Sequence, residues 1–471
     1  MAMPARSWGV LIVLCGAIFL EGIDVGMLNV ALPAIRADLG LSTGLLSGVV
    51  SAYVLGYGGF MLLGGRAADL LGRRRMFLLW LGVFLVFSGL GGFANEGWVL
   101  LVARFVTGVA AAFMTPAGLS LVTTSFPEGR QRNKALLIYA GTAAAGFALG
   151  LVAGGVLTAF GWRWVFFAPV LLSLVILLAA IPLLKEPAAE RPPVAGFDVA
   201  GAASVTGAMM LLVYGVVRLE HPADGLPLTI GVFAGGLALL GAFVAIERRS
   251  ASPLVRFGIF RSAALVRANL TAALLTASFF GFQFLVTLYL QELRGWSTIE
   301  TGLALLAAAA DVVLAPTLTP WLVNRYGNAK VVLGGLLSGL LAYALFLGVG
   351  LDWAYAAMLP SMLLIGLMFA FVYGPLTIVA TDGIAEHEQG LAGGLINSSF
   401  QFGAALGLSV VTAVNVAALG DATSAQAGLA AMRTALVVPV TATLFAALIA
   451  VAGLRSRAGR PRAEERVSVG A

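Results

Sequence analysis

Residues 10–33 of the chain read VLIVLCGAIFLEGIDVGMLNVALP, an apolar run that continues from Val10 to Leu20 and then takes in Glu21 and Asp24. A helix needs about 20 predominantly apolar residues to cross the hydrocarbon core of a bilayer. The run continues past the length of a signal peptide, and no convincing small-residue cleavage site follows it. We therefore expect a retained first membrane-spanning helix that carries two acidic side chains.

The composition of the whole chain has the same character. Of its 471 residues, 60% are hydrophobic and 11% are charged, and the mean hydropathy is +0.99. A water-soluble fold could not bury so much apolar surface without leaving large apolar patches exposed. Apolar runs of spanning length recur to about residue 453, which predicts an all-α integral membrane protein of about fourteen transmembrane helices, including 198–218 and 301–322.

The positive charges indicate how these spans are oriented. Most of the 28 Lys and Arg residues fall in alternate short loops, such as the one that holds Arg73, Arg74 and Arg75. Because basic loops stay on the cytoplasmic side, both termini are expected in the cytoplasm of a bacterial cell, with the protein crossing its inner (cytoplasmic) membrane many times. The net charge of +6 then reflects topology and membrane lipids, with no nucleic-acid partner.

A weak internal repeat predicts the domain organisation. The stretch GRAADLLGRR after the second span aligns with PWLVNRYGNA after the tenth, and it matches Asp69 to Asn324 and Gly72 to Gly327. Transporters are often built from such repeats. We expect two pseudo-symmetric six-helix bundles with two inserted central helices: an N-terminal bundle over 1–186, a linker with two additional helices over 187–252, and a C-terminal bundle with a basic cytoplasmic tail over 253–471.

The two acidic residues of the first span need a partner or a proton, since a charged carboxylate at a span centre costs about 2.5–3.5 kcal/mol on insertion scales. Arg104 of the fourth span reaches a depth similar to that of Asp24, and Glu21 lies one turn deeper on the same face. Because burial disfavours a charged carboxylate and a nearby arginine favours it, this group predicts a proton-coupling site. The alternative is a static ion pair that only fixes helix packing.

Aromatic and polar residues of later spans form a candidate substrate cavity. Residues 278–291 read SFFGFQFLVTLYLQ, and Asp311 follows in the tenth span. A carboxylate with aromatic walls would suit a lipophilic cation, although such phenylalanines also commonly face lipid and polar residues also join helices. The predicted cavity residues are Asp311, Phe280, Gln283, Phe284, Tyr289, Asn397 and Gln401.

The chain lacks the signatures of enzymes that act through nucleotides, metals or nucleophiles. It contains no phosphate-binding loop of the G-x-x-x-x-G-K type, no His or Cys metal cluster and no nucleophile with an adjacent base. We expect no catalytic residue, metal or cofactor, and an ion gradient as the energy source.

Several stretches together resemble the fourteen-helix drug:proton antiporter branch of the major facilitator superfamily over essentially the whole length. IDVGMLNVALP (23–33) resembles its first-helix signature, and GRAADLLGRRR (65–75) resembles the superfamily's loop signature. RFVTGVAAA (104–112) is similar to the fourth-helix signature. GFALGLVAGG (146–155) is similar to the antiporter signature of helix five, with Leu151 where proline is usual.

The resemblance implies two bundles around a central cavity, alternating access, and drug export driven by inward proton flow. Asp24 and Arg104, with Glu21 beside them, would serve proton coupling. The implied conformational switch comprises Gly65, Asp69, Gly72 and Arg73 of the loop and Gly146, Gly150, Gly154 and Gly155 of helix five. For the glycines, ordinary close packing of two helices is the simpler interpretation.

The leading hypothesis is therefore a proton-coupled antiporter that exports small lipophilic drugs, cationic ones among them, or one antibiotic. A proton symporter for a small metabolite is one alternative, disfavoured by the glycine pattern of helix five. A non-transporting membrane receptor on the same fold is another, since fold does not fix function. The expected partners are the lipophilic substrate, protons and membrane lipids, with the protein a monomer.

Overall fold

The computed structural model describes residues 5–126, 130–184, 198–218, 225–250, 257–381, 384, 389–420 and 422–458. Among these residues the regular structure is helical and no strand occurs. The first six helices are α1 (Ala5–Leu39), α2 (Thr43–Leu71), α3 (Arg73–Gly92), α4 (Gly97–Ser125), α5 (Arg130–Phe160) and α6 (Trp164–Leu183). Of the predicted linker, residues 187–197, 219–224 and 251–252 lie outside the described residues, as do residues 459–471 of the basic tail.

Ten further helices follow. They are α7 (Val199–Arg218), α8 (Leu226–Glu247), α9 (Ala263–Leu288), α10 (Thr298–Leu305), α11 (Asp311–Tyr326), α12 (Asn328–Phe346), α13 (Tyr355–Thr381), α14 (Gln389–Leu419), α15 (Ala425–Ala435) and α16 (Val437–Ala458). A π-helical turn, Tyr289–Leu293, extends α9, and a 3₁₀ turn, Leu306–Ala309, separates α10 from α11.

The predicted all-α membrane architecture is confirmed, but the number fourteen is not established. In the described part of the chain, twelve helices are long and apolar enough to cross a bilayer by length and composition. The two other predicted spans are shorter apolar segments: 198–218 contributes Ala200–Leu212, and 301–322 is divided by the 3₁₀ turn next to Asp311. Hydropathy averaged over a window detects the apolar run but not such an interruption.

The helices pack around separate buried cores. One core is built on α1–α6 and includes Leu14, Phe77 and Phe84, whereas another is built on α9–α16 and includes Phe282 and Tyr343. We call these two groups of helices the N-terminal and C-terminal bundles. The domain limits at 186 and 252 remain predictions.

The additional helices α7 and α8 pair with each other, and α7 also packs against α2 and α14. The hydroxyl of Thr206 on α7 donates a hydrogen bond of 2.9 Å to the carbonyl oxygen of Gly59 on α2. Because α2 and α14 belong to different bundles, α7 lies along one seam between them.

Glycines bring α1 and α5 into backbone contact. A Cβ atom at Gly146, Gly150 or Gly154 would lie 2.6 Å from a carbonyl oxygen of α1, that of Phe19, Ile23 or Met27 respectively. Real Cβ atoms do not approach backbone this closely, so larger residues would force the helices apart. The four-residue spacing thus places three glycines on the face of α5 that meets the acidic helix α1.

We predict that Gly150→Ala destabilises the protein, because the added methyl group has no space against Ile23. Overpacking of this kind typically costs about 1–3 kcal/mol. Gly141→Ala is the matched control on the same helix, since a Cβ at Gly141 meets open space. Thermal unfolding of the purified proteins in detergent tests this. Equal melting temperatures for the two variants would contradict the packing argument.

Candidate functional site

Asp24 and Arg104 form a buried ion pair between α1 and α4. Nη1 of Arg104 donates to Oδ2 of Asp24 at 2.6 Å, and each side chain is only 2% exposed. Charge-assisted bonds of this length are strong, and side chains this deeply buried have little contact with bulk solvent. The structure therefore brings together the two residues that the sequence placed at similar depth.

Tyr53 of α2 completes the surroundings of this arginine. Its ring lies 4.4 Å from Cζ of Arg104, a cation–π contact, and its side chain is 3% exposed. Gly108 of α4 makes the approach possible, because a Cβ there would overlap the carbonyl oxygen of Tyr53. Within the described residues, the hydroxyl of Tyr53 and Nε of Arg104 have no hydrogen-bond partner.

Glu21 has a different partner from Asp24. Its Oε2 accepts a hydrogen bond of 2.6 Å from the hydroxyl of Thr115 on α4, and the side chain is 8% exposed. A hydroxyl can donate to a carboxylate or accept from a carboxylic acid, so this contact is compatible with either protonation state. One acid of α1 is thus fixed by a permanent charge and the other by a neutral group.

The two bundles are joined by side chains at the end of the molecule where α1 ends, which we call the closed end. Arg36 of α1 pairs with Glu292, beyond α9, at 2.8 Å, and both side chains are about one-third exposed. The Gln291 amide donates to the carbonyl oxygen of Val30 at 3.0 Å, and the hydroxyl of Thr298 donates to that of Gly155 at 3.2 Å. A shallow cleft at Pro33, Ala37 and Gly40 lies beside the ion pair.

Helix packing continues the contact between the bundles. Gly302 of α10 fits against the carbonyl oxygen of Leu151, and Gly155 fits against that of Thr298, with an added Cβ at 2.5 and 2.7 Å respectively. On the other seam the hydroxyls of Ser51 and Ser409 are 3.5 Å apart. Leu151 therefore stands, in place of the proline usual in the family signature, at a contact between the bundles.

The predicted cavity residues separate into different environments. Phe280 meets Phe147 of α5 edge-to-face, with ring centroids 6.1 Å apart, whereas Phe284 is buried in a cluster with Leu28 of α1. The hydroxyl of Tyr289 donates to the carbonyl oxygen of Gly350 at 2.6 Å, which holds that ring within the C-terminal bundle.

The remaining cavity candidates lie on other helices. Gln283 of α9 is buried. Gln401 of α14 lies beside Gly58 of α2, and Asn397 donates to the carbonyl oxygen of Gly393 in its own helix. Asp311 is half-buried in the first turn of α11, a helix that packs mainly against α13, α5 and α12. The structure thus does not collect all seven residues around one point.

In the predicted switch loop, Gly72 separates α2 from α3 with φ +101°, a conformation that residues with a side chain rarely adopt. Arg73 begins α3, and Arg74 donates to the carbonyl oxygen of Leu184 at 2.7 Å, which ties the loop to the end of α6. Gly65 lies within α2 without tight neighbours. The side chain of Asp69 lies outside the described part of the structure.

Comparison with known proteins decides the family. The family model described as Major Facilitator Superfamily matches residues 14–408. The chain belongs to the Major Facilitator Superfamily. The family expected from the sequence motifs is thereby confirmed, and this major facilitator chain is a multi-pass membrane protein of a transporter family.

Relatives of this major facilitator chain are named for antibiotics. The puromycin resistance protein pur8 of Streptomyces alboniger is 33% identical over 420 residues, which cover 88% of this chain and 83% of the relative. The cephamycin export protein CmcT of Amycolatopsis lactamdurans is 35% identical over 408 residues, covering 86% and 84%. Among solved structures, the POT family transporter PepTSo has a similar fold, with a TM-score of 0.70, 16% identity and coverage of 97% and 99%.

Three parts of the site were not anticipated from the sequence. Tyr53 and Thr115 are single polar residues within apolar helices, and no local pattern marks them as partners of Arg104 and Glu21. The Arg36–Glu292 pair joins residues 256 positions apart. This pair could be predicted only if the two bundles were already known to meet at that end.

The buried ion pair predicts a non-additive effect on stability. Removing one partner of such a pair costs about 3–5 kcal/mol, whereas replacing both by apolar residues is often nearly neutral. We therefore expect Asp24→Leu to be strongly destabilising, because Arg104 cannot lose its charge. We expect Asp24→Leu/Arg104→Leu to recover most of the loss, as measured by unfolding in mixed micelles.

Arg104→Leu provides the internal control for this cycle. It leaves Asp24 buried without its cationic partner, so this variant should also be destabilised relative to the wild type. Losses that simply add in the double variant would show that the two side chains do not form an interacting pair in the protein.

Proposed function

We propose that this chain is a proton-coupled antiporter that exports small lipophilic drugs or an antibiotic across the bacterial cytoplasmic membrane by alternating access. The observation that carries the proposal is the buried Asp24–Arg104 pair with Glu21 one turn away. Drug efflux is supported by family membership and by relatives named for antibiotic resistance and export. Proton coupling and the inside location of both termini are our inference.

The ion pair offers a way to couple a proton to a helix movement. With Asp24 charged, the 2.6 Å contact holds α1 against α4. A proton on Asp24 removes the charge that Arg104 faces, while Arg104 keeps its own charge in a region without water. The ring of Tyr53 then remains as its neighbour on α2, so the preferred distance between α1 and α4 changes.

Helix α1 can transmit such a change to the seam. Asp24 and Arg36 are on the same helix, and their separation of 12 positions corresponds to about 18 Å of helix length. Gly22 and Gly26 keep α1 in backbone contact with α5, whose Gly155 meets Thr298 of the other bundle. Movement at the buried pair would therefore be carried along one continuous helix, which contains Pro33, to the bonds at the closed end.

The proposal predicts that Asp24→Asn abolishes efflux driven by the proton gradient. We expect cells with the wild-type protein to extrude ethidium or puromycin, an uncoupler to stop this extrusion, and Asp24→Asn to lower its rate to the level of cells without the protein. Asp352→Asn, at an exposed turn between α12 and α13, is the matched control and should transport normally. Uncoupler-sensitive efflux by Asp24→Asn would refute the assigned role.

Alternating access makes a second prediction at the closed end. An ion pair this exposed is worth about 0.2–1 kcal/mol, so Arg36→Gln should increase opening of that end by up to about fivefold. A cysteine at the buried position Ser51, introduced with Cys15→Ala, should report this as faster labelling by a membrane-impermeant maleimide. The exchange Arg36→Glu/Glu292→Arg should restore slow labelling. An unchanged labelling rate in Arg36→Gln would show that the pair does not control this end.

A further inference from the structure

Gln283 on α9 presents an unusual side chain for the interior of a membrane protein. It is 3% exposed, and within the described residues neither Oε1 nor Nε2 of its amide has a hydrogen-bond partner. Leaving a buried amide without partners is unfavourable, and native structures contain few such groups. An unpaired amide at this depth therefore calls for a partner that the described residues do not supply.

Other polar side chains of the same helix do have partners. The hydroxyl of Thr276 donates to the carbonyl oxygen of Phe400 at 2.6 Å, and that of Thr287 donates to the carbonyl oxygen of Gln283 at 2.9 Å. Beyond α9, the amide of Gln291 bonds to Val30. The lack of partners is thus specific to Gln283 and does not reflect a general feature of polar groups along this stretch.

The position of Gln283 relates it to both bundles. Phe279 precedes it by four residues and lies on the same face of α9. The ring of Phe279 is 4.6 Å from that of Phe369 on α13 and 6.4 Å from that of Phe147 on α5. Gln283 therefore lies one turn from an aromatic cluster that spans the seam, on the side toward the closed end.

We propose that Gln283 is the hydrogen-bonding subsite of a substrate site beside this aromatic cluster and recognises a neutral amide, carbonyl or hydroxyl group on an otherwise aromatic or lipophilic compound. The inference rests on the proposed export function and adds the chemistry of its cargo. An amide offers two donors and an acceptor without any charge. The rings of Phe147, Phe279 and Phe369 supply flat apolar contact for the remainder of the molecule.

This arrangement would favour compounds that carry a hydrogen-bonding group and disfavour compounds that lack one. A compound with a suitable polar group satisfies the amide on binding, whereas a purely apolar cation offers this buried amide no hydrogen bond. A site built to hydrogen-bond a ligand rejects analogues without the bonding group far better than an apolar pocket rejects an extra methylene. Positive charge is therefore not required at this subsite.

The test compares Gln283→Leu with Gln291→Leu, two identical substitutions of which only the second removes a hydrogen bond within the protein. We expect Gln283→Leu to raise the melting temperature of the purified protein in detergent and Gln291→Leu to lower it. Binding is then followed by the concentration dependence of tryptophan fluorescence with puromycin, which carries amide and hydroxyl groups, and with tetraphenylphosphonium, which carries no hydrogen-bonding group.

We expect Gln283→Leu to weaken puromycin binding by about three- to tenfold and to leave tetraphenylphosphonium binding within about twofold of the wild type. A lower melting temperature for Gln283→Leu, unchanged puromycin binding, or equal weakening for both compounds would each overturn the subsite. A wild-type protein that binds tetraphenylphosphonium but not puromycin would also overturn it.

The same variants separate this inference from the proposed function. Selective loss of puromycin binding together with efflux that ignores an uncoupler would retain the subsite and refute proton coupling. Uncoupler-sensitive efflux with unchanged puromycin binding in Gln283→Leu would support proton coupling and refute the subsite.

Discussion

Two opposite charges buried in a protein interior stabilise each other, and losing either one is costly for the other. The contact between Asp24 and Arg104 is such a pair within the N-terminal bundle. It requires α1 and α4 to stay at one separation, and Gly108 lets α2 come close enough for Tyr53 to cover the guanidinium. The glycine face of α5 then holds α1 from the other side. In the proposed mechanism this same contact is the one that a proton weakens, so one ion pair would both fix the bundle and release it.

Much of the architecture could be predicted from the sequence, because crossing a membrane restricts both the composition of each helix and the spacing of the loops. The apolar runs predicted the helical membrane architecture, and the motifs predicted the family. The similar depth of Asp24 and Arg104 along their helices predicted that they form a pair. The internal repeat also has a structural counterpart, since Gly72 and Gly327 both turn the chain between helices with positive φ, +101° and +81°.

Other features could not be predicted, because they depend on how distant helices meet. Hydroxyl partners such as Thr115 leave no periodic signal, and the partners of Arg36 and Gln291 are defined only by the docking of the two bundles. The break beside Asp311 is likewise invisible to hydropathy. Gln283 is the converse case, where the sequence suggested a cavity residue and only the structure shows that its amide lacks a partner within the described chain.

The closed end carries a consequence for how such a protein can evolve. Two of its bonds end on the backbone oxygens of Val30 and Gly155, so neither acceptor is supplied by a side chain, and Gly155 is constrained instead by its close approach to Thr298. The Arg36–Glu292 pair alone among these three is encoded by side chains on both partners. Under the proposed alternating-access mechanism, changes at these two residues would therefore retune the balance between the two conformations without altering the buried Asp24–Arg104 site.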